Sequence, residues 1–135
     1  MGGYVDKDFI TEYQCHIVLS VLMLALTIPM IIIHTTVALI SLRYLVIPRS
    51  VGLPIAIYES TYYVLLLTYL LINHYSIALL GLTVLFLVIH VGGTYLYMRG
   101  ALSYLSRNRS NLRRYGYYEI AELMFIIVVI GLLVH

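Results

Sequence analysis

The chain has 135 residues, of which 62% are hydrophobic and only 10% charged, with a formal net charge of +2 and a mean hydropathy of +0.98. Soluble domains carry roughly a quarter charged residues, so this composition excludes a water-soluble fold and points to an all-α integral membrane protein. The small positive charge makes no case for a nucleic-acid partner, because the placement of the basic residues is explained by topology.

Four apolar segments, at about 17–42, 51–73, 76–98 and 117–134, each supply the roughly twenty residues needed to cross the hydrocarbon. The expected fold is a four-transmembrane-helix bundle forming a single membrane domain over 1–135. The longest hydrophilic connection, Arg99 to Gly116, is too short for a catalytic domain of its own. The first apolar run is too long for a signal peptide and lacks a basic region before it, so it reads as a retained helix. The single cysteine, Cys15, forms no internal disulfide and gives no redox compartment.

The acidic stretch before residue 17, with Asp6, Asp8 and Glu12, reads as an interfacial turn. Helix one carries His16 and His34, five helical turns apart and therefore on one side. Ser20, Met23, Thr27, Ala38 and Ser41 share that side, so a polar and small stripe runs down a helix otherwise built of Leu, Ile and Val. Pro29 lies between the histidines and removes one backbone hydrogen bond, with Thr27 the expected partner for the freed carbonyl.

Helix two is expected to begin near Pro54. It carries Glu59, followed on or near the same face by Tyr62, Tyr63, Leu66, Tyr69 and Asn73, and His34 or His90 is the expected partner of the carboxyl. In helix three Ser76, Thr83, His90 and Tyr97 recur at intervals of seven, and Gly92, Gly93 and Thr94 follow the histidine. Glycines there suit close helix packing or room for a flat cofactor. Helix four opens with tyrosines and then places Glu119 and Glu122 one turn apart. The helix dipole and five nearby arginines account for Glu119, whereas Glu122 lies deeper.

The connections after helices one and three hold all the arginines, from Arg43 and Arg49 to Arg99, Arg107, Arg109, Arg113 and Arg114. By the positive-inside rule these loops are cytoplasmic and both termini lie outside the cell membrane. The sequon at Asn108 then faces away from the glycosylation machinery. Tyrosines at Tyr44, Tyr58, Tyr95, Tyr97, Tyr104 and Tyr115 to Tyr118 form the expected aromatic belt. The loop from Arg99 to Arg114, with Leu102, Tyr104 and Leu105 between basic residues, has the character of a short interfacial helix on anionic lipid.

Helical rise puts His34, Glu59, His90 and Glu122 at one depth, about 12–15 Å from the arginines, so each helix contributes one ionisable side chain to a single layer. Such groups are functional candidates by default. Three chemistries suit them: haem b ligation by His34 and His90, with Arg43, Arg99 or the carboxyls pairing the propionates; a metal site of two His and two Glu; and a quinone or proton site. His16, His74 and His135 mark an optional outer layer, suited to a second haem held by His16 with His74 or His135, or, alternatively, to a surface copper or zinc site of Glu12, Cys15 and His16.

Two histidines on separate helices of a small four-helix anchor resemble the membrane-anchor cytochrome b subunits of respiratory complexes such as succinate dehydrogenase, over helices one to three. The resemblance is one of architecture. It implies a small integral subunit of a larger redox complex that binds haem b or quinone and works with other membrane subunits, an electron-transfer component more than an enzyme alone. Two other functions fit the same residues: a cofactor-free accessory subunit, and a small proton-coupled transporter with Glu59 or Glu122 as the carrier.

Overall fold

The computed structural model describes residues 7–102 and 107–134, with side chains from residue 13 onward. The described chain forms four long helices: α1 (Lys7–Leu42), α2 (Arg49–Ile72), α3 (Ile77–Arg99) and α4 (Arg109–Val134). All four are long and apolar enough to cross a membrane. The chain is therefore a multi-pass helical membrane protein.

The boundaries differ from the sequence expectation at three places. Residues 7–16 continue α1 instead of forming a turn, since no glycine or proline interrupts them. α4 starts at Arg109 and not at 117, so Arg109, Arg113 and Arg114 lie on its first turns. The side chain of Asn108 accepts the Ser110 N–H at 2.9 Å, which satisfies one of the free donors of a helix start and fixes the earlier beginning. α2 likewise starts at Arg49, leaving Pro54 inside the helix. α3 is capped by Ser76, which accepts from the Leu79 N–H, and ends at Gly100 in the left-handed conformation that glycine adopts without strain. Of the interfacial segment expected after α3, Tyr104 and Leu105 lie outside the described residues.

α1 runs along α4 and α2 along α3, while α1 meets α2 more lightly. α3 and α4 meet chiefly through long side chains, such as Phe86 against Phe125 with ring centroids 4.9 Å apart. The bundle is thus two tightly packed pairs with a looser seam between α3 and α4. From Met23 onward the stripe on α1 is buried, with Met23, Thr27, His34, Ala38 and Ser41 nearly inaccessible and Met30 beside them, whereas His16 at its outer end is exposed and Ser20 half-buried. On α2 the buried face is Glu59, Tyr62, Tyr63, Leu66 and Tyr69. The outward Leu, Ile and Val side chains stay exposed, as expected where lipid is the solvent.

α1 passes Pro29 without interruption. The Thr27 hydroxyl does not serve the carbonyl freed by the proline. It donates to Met23 O at 2.6 Å and hydrogen-bonds the Tyr62 hydroxyl at 3.0 Å. Tyr58 instead donates to Leu26 O at 2.7 Å, beside the freed carbonyl of the preceding residue. Tyrosines of α2 therefore stitch the weakened turn of α1.

Gly116 sets the approach of α1 to α4. A Cβ there would lie 2.8 Å from the Leu42 side chain and 3.3 Å from its backbone nitrogen. Gly116→Ala should therefore destabilise the protein by about 1–3 kcal/mol. Gly81, whose surroundings are open, should tolerate alanine or gain a few tenths of a kcal/mol. Unfolding of both variants in detergent micelles checks the contrast.

Candidate functional site

At the level of the stripe on α1, the two helix pairs are joined by polar contacts among five ionisable side chains. His34 from α1, Glu59 from α2, His90 from α3, and Glu119 and Glu122 from α4 are all buried, with exposures between 0% and 6%. His34 Nδ1 hydrogen-bonds Glu119 Oε2 at 2.7 Å. His90 Nδ1 lies 3.1 Å from Glu59 Oε2. The remaining ring nitrogens turn inward on a single atom: His90 Nε2 is 2.5 Å and His34 Nε2 3.4 Å from Glu122 Oε1.

The four residues placed in one layer by helical rise are thus brought together, and Glu59 meets His90. Glu119 belongs to the same centre, which its neighbouring arginines concealed. Those arginines are exposed, and among the described residues no arginine or lysine pairs with any of the three carboxylates. The available signal was the spacing of Glu119 and Glu122, which places both on one face of α4.

Tyrosine supports the centre from α2. The Tyr63 hydroxyl donates to Glu122 Oε1 at 2.5 Å, and its ring stacks on His90 with centroids 5.0 Å apart and planes 13° from parallel. The Tyr118 hydroxyl, on α4, is buried near Glu122 without a hydrogen-bond partner. His34 Nε2, Glu119 Oε1 and Glu122 Oε2 are buried without a hydrogen-bond partner. Buried polar atoms are nearly always satisfied, so the centre has unused capacity to hold a proton, a water or a cation.

A cavity of about 570 Å³ opens in the seam between α3 and α4 and reaches this centre. Glu59, His90 and Tyr118 line its inner part, and Ile89, Gly92, Gly93 and Leu96 line it on α3. Among the described residues, no atom beyond the adjoining turns of α3 lies within 4 Å of a Cβ built on Gly92 or Gly93. These glycines therefore do not pack a neighbouring helix. They hollow out the wall of the cavity.

The outer histidines form no comparable group. His16 and His74 are exposed, and among the described residues neither belongs to a cluster of metal-ligand spacing. His16 lies near Tyr69, with ring centroids 6.4 Å apart, and His74 occupies the α2–α3 turn with a positive φ of 54°. Cys15 is exposed. His135 and the side chain of Glu12 lie outside the described residues. Arg99 sits over Tyr95 and Arg49 donates to Met98 O, while Arg43 is exposed.

Comparison with known proteins finds no matching family model, no matching curated protein and no matching solved structure. The chemistry of the centre has to be argued from its own atoms.

Tyr63→Phe removes one of the donors to Glu122 and should cost about 1–3 kcal/mol, the penalty for depriving a buried acceptor of its partner. Tyr95→Phe, at an exposed ring, should change stability by less than about 0.5 kcal/mol. Unfolding in mixed micelles monitored by circular dichroism measures both.

Proposed function

We propose that the protein is a small integral subunit of a membrane redox complex and that it binds a quinone-class lipophilic ligand in the seam between α3 and α4. The observation that supports this most is the cavity itself. It is largely apolar, it lies within the size range of small-molecule sites, and a carboxyl and an imidazole, Glu59 and His90, stand at its inner part. A flat ring with two carbonyls suits such a place. The Tyr118 hydroxyl, buried without a partner, can donate to a carbonyl of the quinone, Glu59 can accept from a hydroxyl of the quinol, and the isoprenoid tail lies along the Leu and Ile side chains toward lipid.

Haem b fits the centre less well. A bis-histidine haem needs a macrocycle between the two inward nitrogens, and Glu122 Oε1 stands between them, with Tyr63 stacked on His90. His34 and His90 have ring centroids 6.0 Å apart but are bridged by a carboxylate side chain.

The positive-inside rule orients the arginine-bearing ends toward the cytoplasm, so that the cavity opens in the cytoplasmic leaflet of the cell membrane and both termini lie outside. Arg107, Arg109, Arg113 and Arg114, all exposed, then meet anionic headgroups. Companion subunits of the complex sit against the apolar outer faces of the bundle.

Wild-type protein purified in mild detergent should retain a lipophilic quinone that solvent extraction and mass spectrometry identify. Gly93→Leu fills the cavity and should abolish its retention. Glu59→Gln should weaken binding of an added quinol, whose hydroxyl the carboxylate accepts, about 10- to 100-fold, the loss expected for a hydrogen bond to a charged group. A wild-type protein that neither retains nor binds quinone, or a Gly93→Leu variant that binds it unchanged, contradicts the proposal.

A further inference from the structure

Both imidazoles at the centre are arranged alike. Each presents Nδ1 to a carboxylate at its back, Glu119 behind His34 and Glu59 behind His90. A carboxylate only accepts, so Nδ1 carries the proton in each ring. The neutral tautomer then leaves Nε2 as a lone pair, and both Nε2 atoms face Glu122 Oε1, which is also an acceptor. Such a convergence in a membrane interior requires a positive charge, supplied either by a proton on Nε2, which makes the 2.5 Å contact of His90 with Glu122 a hydrogen bond, or by a metal ion.

A carboxylate behind each histidine is the outer-shell arrangement that fixes the tautomer and orientation of metal-ligating imidazoles. We propose that His34 Nε2, His90 Nε2 and the Glu122 carboxylate bind one first-row divalent transition-metal ion, with Glu119 and Glu59 as the outer-shell carboxylates. Ligand atoms of His34, His90 and Glu122 lie within 4.8 Å of one another, and all three residues are buried. His34 Nε2, on a residue with 0% exposure, has no hydrogen-bond partner and points into the group, and Glu122 Oε2 is also unpartnered.

The dimensions agree with an ion. Two ligands at about 2.1 Å from one metal, with bond angles between 90° and 109°, stand roughly 3.0–3.4 Å apart. His34 Nε2 is already 3.4 Å from Glu122 Oε1, and His90 Nε2 needs to open from 2.5 Å by roughly half an ångström. Two imidazoles and one carboxylate on one side of the ion leave its other positions free, the arrangement associated with non-haem Fe(II), while Zn(II) also accepts this ligand set.

The two triads of metal-ligand spacing share His34, and the second, His34 with Glu59 and Glu119, is less suited to hold the ion. Its two carboxylates are those at the backs of the imidazoles. The metal site does not depend on the quinone reading, since Gly93→Leu closes the cavity without touching a ligand and should leave metal content unchanged.

The test is metal titration of the purified, chelator-treated protein with Co(II), followed by elemental analysis and visible absorption. The expected result is one Co(II) per chain with ligand-field bands. His34→Ala, His90→Ala and Glu122→Ala should each lose the ion. Glu59→Gln and Glu119→Gln should keep the stoichiometry and bind roughly 10- to 100-fold more weakly. Because alanine in the bundle core can impair folding, helicity and elution volume are compared with the wild type, and the two glutamine variants provide the graded readout that general unfolding would not. Wild-type protein that binds well below one ion per chain would overturn the proposal. So would ligand-field bands that survive in both folded histidine variants, or affinity unaltered in both glutamine variants.

Discussion

The Glu122 carboxylate, held between two imidazoles and a tyrosine hydroxyl, is the contact on which the ionisable centre depends. The α1–α4 pair and the α2–α3 pair each have long packed interfaces of their own. Beside the rings of Phe86, Tyr63 and Phe125, a polar link joins one pair to the other at mid-depth: Glu122 of α4 reaches His90 of α3 and Tyr63 of α2, and faces His34 of its own pair. In lipid the apolar side chains gain little by leaving their solvent, so helix association rests on packing and on polar links across the bundle. A carboxylate at that depth is costly alone and tolerable once partnered.

The same contact explains the open seam. α3 and α4 are spanned by long side chains, Phe86, His90, Phe125 and Glu122, and do not interlock closely along their backbones. Toward the arginine-bearing end, where α3 carries Gly92 and Gly93 in place of large residues, the spacing set by those side chains leaves a cavity. The cavity thus reaches the ionisable centre from the arginine-bearing end. A metal at His34, His90 and Glu122 and a ligand beside Glu59 and His90 would share one imidazole.

Much of this was legible in the residues because the helix periods are strict. From Met23 to Ser41 the polar stripe on α1 is its buried face, and equal distances from the arginine-bearing ends bring His34, Glu59, His90 and Glu122 together. Two things were hidden. Glu119 lay among basic residues whose long side chains turn outward, and sequence proximity does not reveal that direction. The starts of α1 and α4 were set too late because charged residues that end an apolar run do not end a helix, and Asn108 supplies a cap farther back. Gly92 and Gly93 left packing and cavity formation equally open. Only the packing order of the helices decides that they face a gap.

The claim that most else rests on is that His90 and Glu122 tie the two helix pairs together, and a double-mutant cycle measures this directly. Unfolding free energies of His90→Ala, Glu122→Ala and the double variant in mixed micelles should be non-additive by clearly more than about 0.5 kcal/mol, with the second substitution costing little once the first is made. Additivity to within about 0.5 kcal/mol would mean that the residues act independently, and would contradict the account.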